Sequence, residues 1–180
     1  MAAPTQTAVI VPVGRAESVV QQHRQRLDVA ASWGVPAHVT IVYPFVPPAE
    51  VTGDVIARLA SAVSRTASFE CVFGACDWFG DEVLWLAPDP TKPFRDLTAA
   101  VVEQFPDHKP YGGLHDVIVP HLTVGESARG SLTELKAAEA DVLTGLPFTA
   151  HIDHVLLIAG SDQRDSWRTV AVLPLGGCGS

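Results

Sequence analysis

Apolar and polar positions along this chain alternate between two periods, and the switches divide it into strands and helices. Residues 7–13 (TAVIVPV) form an apolar run expected as a buried strand. Residues 15–32 take a helical period, with Val19, Val20, His23, Leu27 and the Ala30/Ala31 pair on roughly one face. Residues 38–44 predict a second strand, ended by Pro44. A proline start opens a helix over 48–66, with Val55, Leu59, Ala62 and Val63 inward. Strands are expected at 68–76 and 82–89, on either side of the turn-rich DWFGD.

The second half follows the same order. A helix is expected at 92–105, a Pro/Gly-rich loop at 106–116 and a strand in PHLTVG. Residues 131–143 read as a helix with Ser131 as N-cap and Glu134 completing a capping box. Two last strands, FTAHIDHVLLIAG and WRTVAVLPL, are expected to pair antiparallel across SDQRDS. Residues 7–76 and 82–159 therefore carry one pattern twice: strand, helix, strand, helix, strand. An internal duplication accounts for this economically, giving one domain over 1–180 with a closing strand at 165–173. Related halves packed together would bring equivalent strands face to face about a pseudo-twofold axis.

The third element of each half carries a histidine followed two positions later by a threonine: His38 and Thr40 in HVTIVYPF, His121 and Thr123 in HLTVG. On a strand, residues i and i+2 share a face about 7 Å apart. Each pair would look into the space between the halves, with Val39, Ile41 and Tyr43, or Leu122 and Val124, turned to the helices. Two imidazoles across a cleft can divide acid–base work, one taking a proton from a nucleophile and the other giving one to a leaving group. Their ordinary pKa near 6.5 allows one neutral and one charged ring at neutral pH. Hydroxyls beside them can hold phosphate oxygens. The set suits in-line transfer at a phosphodiester without a metal.

Composition narrows the partners. The chain has 180 residues, 47% hydrophobic and 18% charged, as expected of a globular domain. Twelve basic against 20 acidic residues give −8, which argues against a long nucleic-acid scaffold, since such surfaces need clustered Lys and Arg. A small nucleotide remains compatible. The N-terminus lacks a basic n-region, and no apolar run reaches membrane-spanning length, so neither a secretory signal nor a membrane partner is expected. Three cysteines (Cys71, Cys76, Cys178) make no disulfide framework, which suits a reducing cytoplasm. A monomer is expected.

The doubled His-hydrophobic-Thr-hydrophobic motif in a duplicated α/β chain resembles the 2H phosphoesterase superfamily. Within it, the chain is similar to the bacterial 2′-5′ RNA ligase-like branch, which includes cyclic nucleotide phosphodiesterases. HVTIVYPF matches the first motif, and YGGLHDVIVPHLTVG matches the approach to the second. The resemblance implies an α/β (α+β) fold of two pseudo-symmetric lobes, each an antiparallel sheet with helices outside, around a central cleft. It implies His38 and His121 as the catalytic pair, Thr40 and Thr123 as phosphate holders, and no cofactor. The substrate it implies is a small nucleotide or RNA end with a 2′,3′-cyclic phosphate or 2′-5′ linkage. The same chemistry in reverse would be RNA ligation. His121 would be the base for water and His38 the acid for the leaving oxygen. Many relatives carry a basic residue soon after the second motif, where this chain has Gly125 and Glu126, a departure that favours a small substrate over long RNA.

Phe45, past the end of its strand, and Tyr111, in a Gly-rich loop, are candidates for stacking on a base. Trp78, Trp85 and Trp167 are expected in the core or at the rim. His151 and His154 fall on opposite strand faces, and no Cys or carboxylate pattern completes a zinc site around His108 and His115, so no metal is expected. Two other classes stay open: a nucleotide or RNA-end binding protein without turnover, and a metal-dependent hydrolase with the histidines as ligands.

Overall fold

The computed structural model describes residues 3–115 and 117–177; Cys178 lies outside the described residues. Eight strands run as β1 (Gln6–Pro12), β2 (His38–Val42), β3 (Phe69–Phe79), β4 (Val83–Asp89), β5 (Leu122–Glu126), β6 (Phe148–Ile152), β7 (His154–Gly160) and β8 (Arg168–Pro174). Among the described residues, five α-helices accompany them: α1 (Glu17–Leu27), α2 (Val29–Ser32), α3 (Gly53–Val63), α4 (Lys92–Gln104) and α5 (Leu132–Leu143). The strands form two four-stranded antiparallel sheets, ordered β2-β1-β7-β8 and β5-β4-β3-β6. The expected architecture of two antiparallel sheets with helices is the one observed.

The sheets do not coincide with the halves of the chain. β3, from the expected first half, pairs with β4 and β6, and β7, from the second, pairs with β1. The expected lobe boundary between residues 76 and 82 falls inside a hairpin. β3 continues to Phe79 and turns at Gly80, whose φ of +56° suits a residue without Cβ, before pairing directly with β4. A hairpin this tight obliges both strands to share a sheet. The helices exchange as well: α1 follows β1 but packs on β5, and α4 follows β4 but packs on β2.

Two further boundaries differ from the sequence pattern. FTAHIDHVLLIAG is not one strand; it breaks at Asp153 into β6 and β7, which belong to different sheets. The helix expected over 15–32 is interrupted at Asp28, which has extended φ/ψ (−118°, 122°) and caps α2 by accepting the Ala30 N–H. Asp28 also pairs with Arg24 at 2.8 Å, both side chains being almost fully buried, and Arg24 donates to the Val35 carbonyl. Burial pushes the Asp28 carboxyl up, against the pull of Arg24 and backbone N–H groups. An i,i+4 charge pair usually marks a solvated helix face, so this buried pair carries no sequence signal of its depth.

The main core lies on the helix side of both sheets. Val9, Val11, Val39 and Ile41 come from the first sheet, Phe73, Leu84, Leu86 and Leu122 from the second, with Leu27, Leu59, Leu97 and Leu135 from the helices. Gly125 on β5 lets α1 close onto this core, since an added Cβ would lie 2.7 Å from Leu27 Cβ and 2.8 Å from Leu135 Cδ2. Gly125→Ala is therefore expected to lower stability by about 1–3 kcal/mol, the range for overpacking a tight contact. Urea denaturation should show a lower midpoint with an unchanged slope. A midpoint equal to wild type would mean that α1 is free to move off the sheet.

Candidate active site

Opposite the core, the sheets face each other across a cavity of about 630 Å³. The first sheet contributes His38 and Thr40 through pairing with Pro12 and Ile10, and the second contributes Thr123, paired with Trp85, and His121 just before β5. All four side chains line the one cavity and are half-buried. The structure thus brings the two His-x-Thr motifs together.

Both histidines are held alike. His38 Nδ1 lies 2.7 Å from the Pro36 carbonyl, and His121 Nδ1 lies 2.7 Å from the Val119 carbonyl. A carbonyl can only accept, so each Nδ1 carries the proton and donates it. Each neutral ring is left with Nε2 as an unprotonated acceptor. Phe79 and Trp85 set the His121 ring from the side, with centroids at 4.9 and 5.9 Å.

The surroundings hold both imidazoles in the neutral state. Burial, then the charge of Arg24, then His121 itself bring His38 down to about 3, against the pull of the Pro36 carbonyl. Burial lowers His121 as well, opposed by the Val119 carbonyl. The pair at rest therefore offers two proton acceptors, and one ring becomes a donor only when an anion enters beside it.

Each motif is followed by one extra residue. On β2 the partners of Val9 and Ile10 are Val42 and Thr40, leaving Ile41 unpaired; on β5 the partners of Leu84 and Trp85 are Gly125 and Thr123, leaving Val124 unpaired. These bulges reverse the alternation beyond them. Tyr43, expected on the helix side, lines the cavity, and so does Glu126, which occupies the same place after its motif. Tyr43 donates its hydroxyl to Gln6 Oε1 at 2.6 Å.

The two aromatic candidates separate. Tyr111 lines the same cavity as Thr40, and its backbone N–H donates to the Tyr43 carbonyl at 2.7 Å. Phe45 lies outside the cavity lining; it is 4% exposed and packs edge-on against Phe105 at 5.0 Å. The chain leaves β2 toward α4, so the ring goes into the core. His115 lines the cavity, His108 packs on Phe45, and His151 and His154 pair with Glu70 and Asp153. Among the described residues, no group of three or more His, Cys, Asp or Glu is placed to hold a metal. Trp33 and Trp167, stacked at 6.5 Å, join the lining with Glu82. Trp33 and Glu82 had no motif to single them out, and Trp167 had read only as core or rim.

Two facing sheets with paired histidines and threonines define the 2H phosphoesterase class. The match of residues 11–164 to the family model for the 2′-5′ RNA ligase superfamily shows that the chain belongs to that superfamily. Membership carries a class of chemistry with it, phosphodiesterase-type processing of nucleotides or RNA. None of the curated proteins matches the sequence. Among solved structures, Escherichia coli LigT complexed with 3′-AMP is similar at a TM-score of 0.61 and 16% identity, covering 96% of this chain and 99% of that one. A structure described as a phosphoesterase is similar at 0.61 and 15%, covering 97% and 99%. The protein TT0787 of Thermus thermophilus is similar at 0.59 and 12%, covering 96% and 98%. At these identities the likeness is one of fold. Among the described residues, no helix is long and apolar enough to cross a membrane.

The lowered imidazoles set a sign for stability. The unfolded chain binds protons at His38 near the ordinary 6.5, while the folded protein resists until about 3. The unfolded state therefore holds more protons in that window, and stability must fall as pH drops through it. His38→Gln is expected to make the fall shallower, by some part of the roughly 1.4 kcal/mol per pH unit that one whole proton contributes. Urea midpoints measured between about pH 6 and 4 test this. Parallel curves for the two proteins would mean that His38 titrates alike in both states.

Proposed function

We propose that this protein is a metal-independent phosphodiesterase that opens a 2′,3′-cyclic phosphate, or cleaves a 2′-5′ linkage, on a small nucleotide or RNA end. The observation that carries the reading is the mirrored pair of Nδ1–carbonyl bonds, which leaves two Nε2 acceptors for one cavity. LigT, similar in fold, has been solved with a nucleoside monophosphate, a ligand of the size this cavity accommodates.

The reacting phosphate sits between the histidines, and Thr40 and Thr123 donate to its oxygens. His121 Nε2 takes a proton from water as the water oxygen bonds to phosphorus. The opposite phosphorus–oxygen bond breaks, and His38 gives its Nε2 proton to the departing ribose oxygen. The product is a phosphomonoester. His38 is neutral at rest, so it gains that proton when the phosphate anion arrives beside it.

His38→Ala and His121→Ala are each expected to lower turnover of a 2′,3′-cyclic nucleotide by about 10²–10⁴, the range for a positioned acid or base. Activity should survive a chelator. Wild-type turnover in either mutant would remove that residue from the mechanism, and loss with chelator would point to a metal. Thr40→Val and Thr123→Val delete a donor to a charged oxygen while keeping the β-branched shape, at about 1.5–3 kcal/mol of transition-state binding. Lowered stability with unchanged turnover would assign the hydroxyls a structural role instead.

The pH profile should also shift with occupancy. kcat/KM reports the free protein, where both imidazoles titrate below 6.5, so its bell is expected on the acid side of that value. kcat reports the complex, where the phosphate anion raises them, so its bell should lie at higher pH. Coincident profiles would contradict this.

A further inference from the structure

The charges around the cavity are lopsided. Among the described residues, no Lys or Arg lines it, while Asp28, Glu82 and Glu126 do. Asp28 is offset by Arg24, but that guanidinium is 3% exposed, bonded to Asp28 and the Val35 carbonyl, and does not line the cavity. Glu82 and Glu126 have no cation within ion-pair distance among the described residues. Among the described residues, the Glu126 carboxylate accepts the Val29 N–H, at 3.0 Å. Among the described residues that line the cleft, the side chains able to carry positive charge are the imidazoles of His38, His121 and His115.

The bulge after the second motif creates this state. It turns Gly125 to the helix side, against Leu27 and Leu135, and Glu126 to the cleft. The first sheet presents the apolar complement, with Ala8, Ile10 and Ile158 beneath Trp33, Tyr43 and Trp167.

Resting on the phosphodiesterase reading, we propose that the cleft selects a substrate whose reacting phosphodiester is its only anionic group. That substrate is a nucleoside 2′,3′-cyclic phosphate with a free 5′-hydroxyl, in preference to a 5′-phosphorylated nucleotide or an RNA end. One phosphate monoanion is met by the histidines and threonines. A second phosphate shares the same space with two uncompensated carboxylates and meets no fixed cation. Walls of low dielectric strengthen the repulsion. RNA carries a phosphate at every linkage, so it meets the same barrier. The volume of about 630 Å³ lies within the range of about 300–1,000 Å³ for small-ligand sites. The aromatic wall offers a base a stacking surface, and the carboxylates accept from ribose hydroxyls or exocyclic amines.

The test compares kcat/KM for adenosine 2′,3′-cyclic phosphate with that for its 5′-phosphorylated counterpart, in wild type, Glu82→Gln, Glu126→Gln and the double variant. Gln at 126 can still accept from Val29, so folding is preserved. The 5′-phosphate is expected to lower kcat/KM about tenfold or more at low ionic strength, and the penalty should shrink in about 0.5 M salt. The double variant should bring the two substrates within about threefold of each other, the change expected when like charges are removed. Equal use of both substrates by wild type, or a penalty untouched by salt and by both substitutions, would overturn the proposal. Calorimetry with adenosine 2′-monophosphate and adenosine 2′,5′-bisphosphate separates this from the reaction itself. Weaker binding of the bisphosphate without turnover of any cyclic substrate would uphold the charge selection and sink the phosphodiesterase reading. Equal binding, whatever the turnover, would sink the charge selection.

Discussion

The pairing of β3 with β4, and of β7 with β1, is the constraint from which the cleft follows. The first half sends β3 into the sheet of β4 and β5, the second sends β7 into the sheet of β1 and β2, and each half's first helix packs on the other half's motif strand. The lobes cannot part without breaking ladders on both sides. A cleft built this way holds two catalytic candidates from distant parts of the sequence at a set separation, although the motif strands belong to different sheets. The apolar face of each sheet packs on helices, so the remaining faces are free to carry polar groups.

The bulges then decide what the cleft contains. Without the extra residue at Ile41 and at Val124, alternation would send Tyr43 and Glu126 to the helix side. With it, an aromatic ring and a carboxylate enter at equivalent places on opposite walls. The two sheets share one backbone plan and differ in the side chain each delivers, so a near-symmetric frame holds an asymmetric site. Tyr111, from the loop before the second motif, adds a further aromatic side chain to the cleft.

Electrostatics and packing meet at His38. The Arg24–Asp28 pair ends α1, starts α2 and places a positive charge behind the imidazole. Breaking a buried pair typically costs about 3–5 kcal/mol, because the remaining charge is left uncompensated. The same contact thus secures the entry to β2 and disfavours the charged form of the ring.

Much of this was legible in the chain. Period and turn residues located the strands and helices, and the repetition of His-x-Thr on matching elements singled out His38, Thr40, His121 and Thr123, because strand alternation is a local property of the backbone. The Ser131–Glu134 capping box was legible for the same reason and is present. What no local pattern contains is partner choice. The exchange of β3 and β7 depends on a hairpin turn and on which ladder is completed, and it put the lobe boundary in the wrong place. The bulges, and with them Tyr43 and Glu126, arise from register between strands remote in sequence. Phe45 went to the core and Trp33 to the cleft because the paths of loops, set by the packing of α2 and α4, decided which aromatic rings water and ligand can reach.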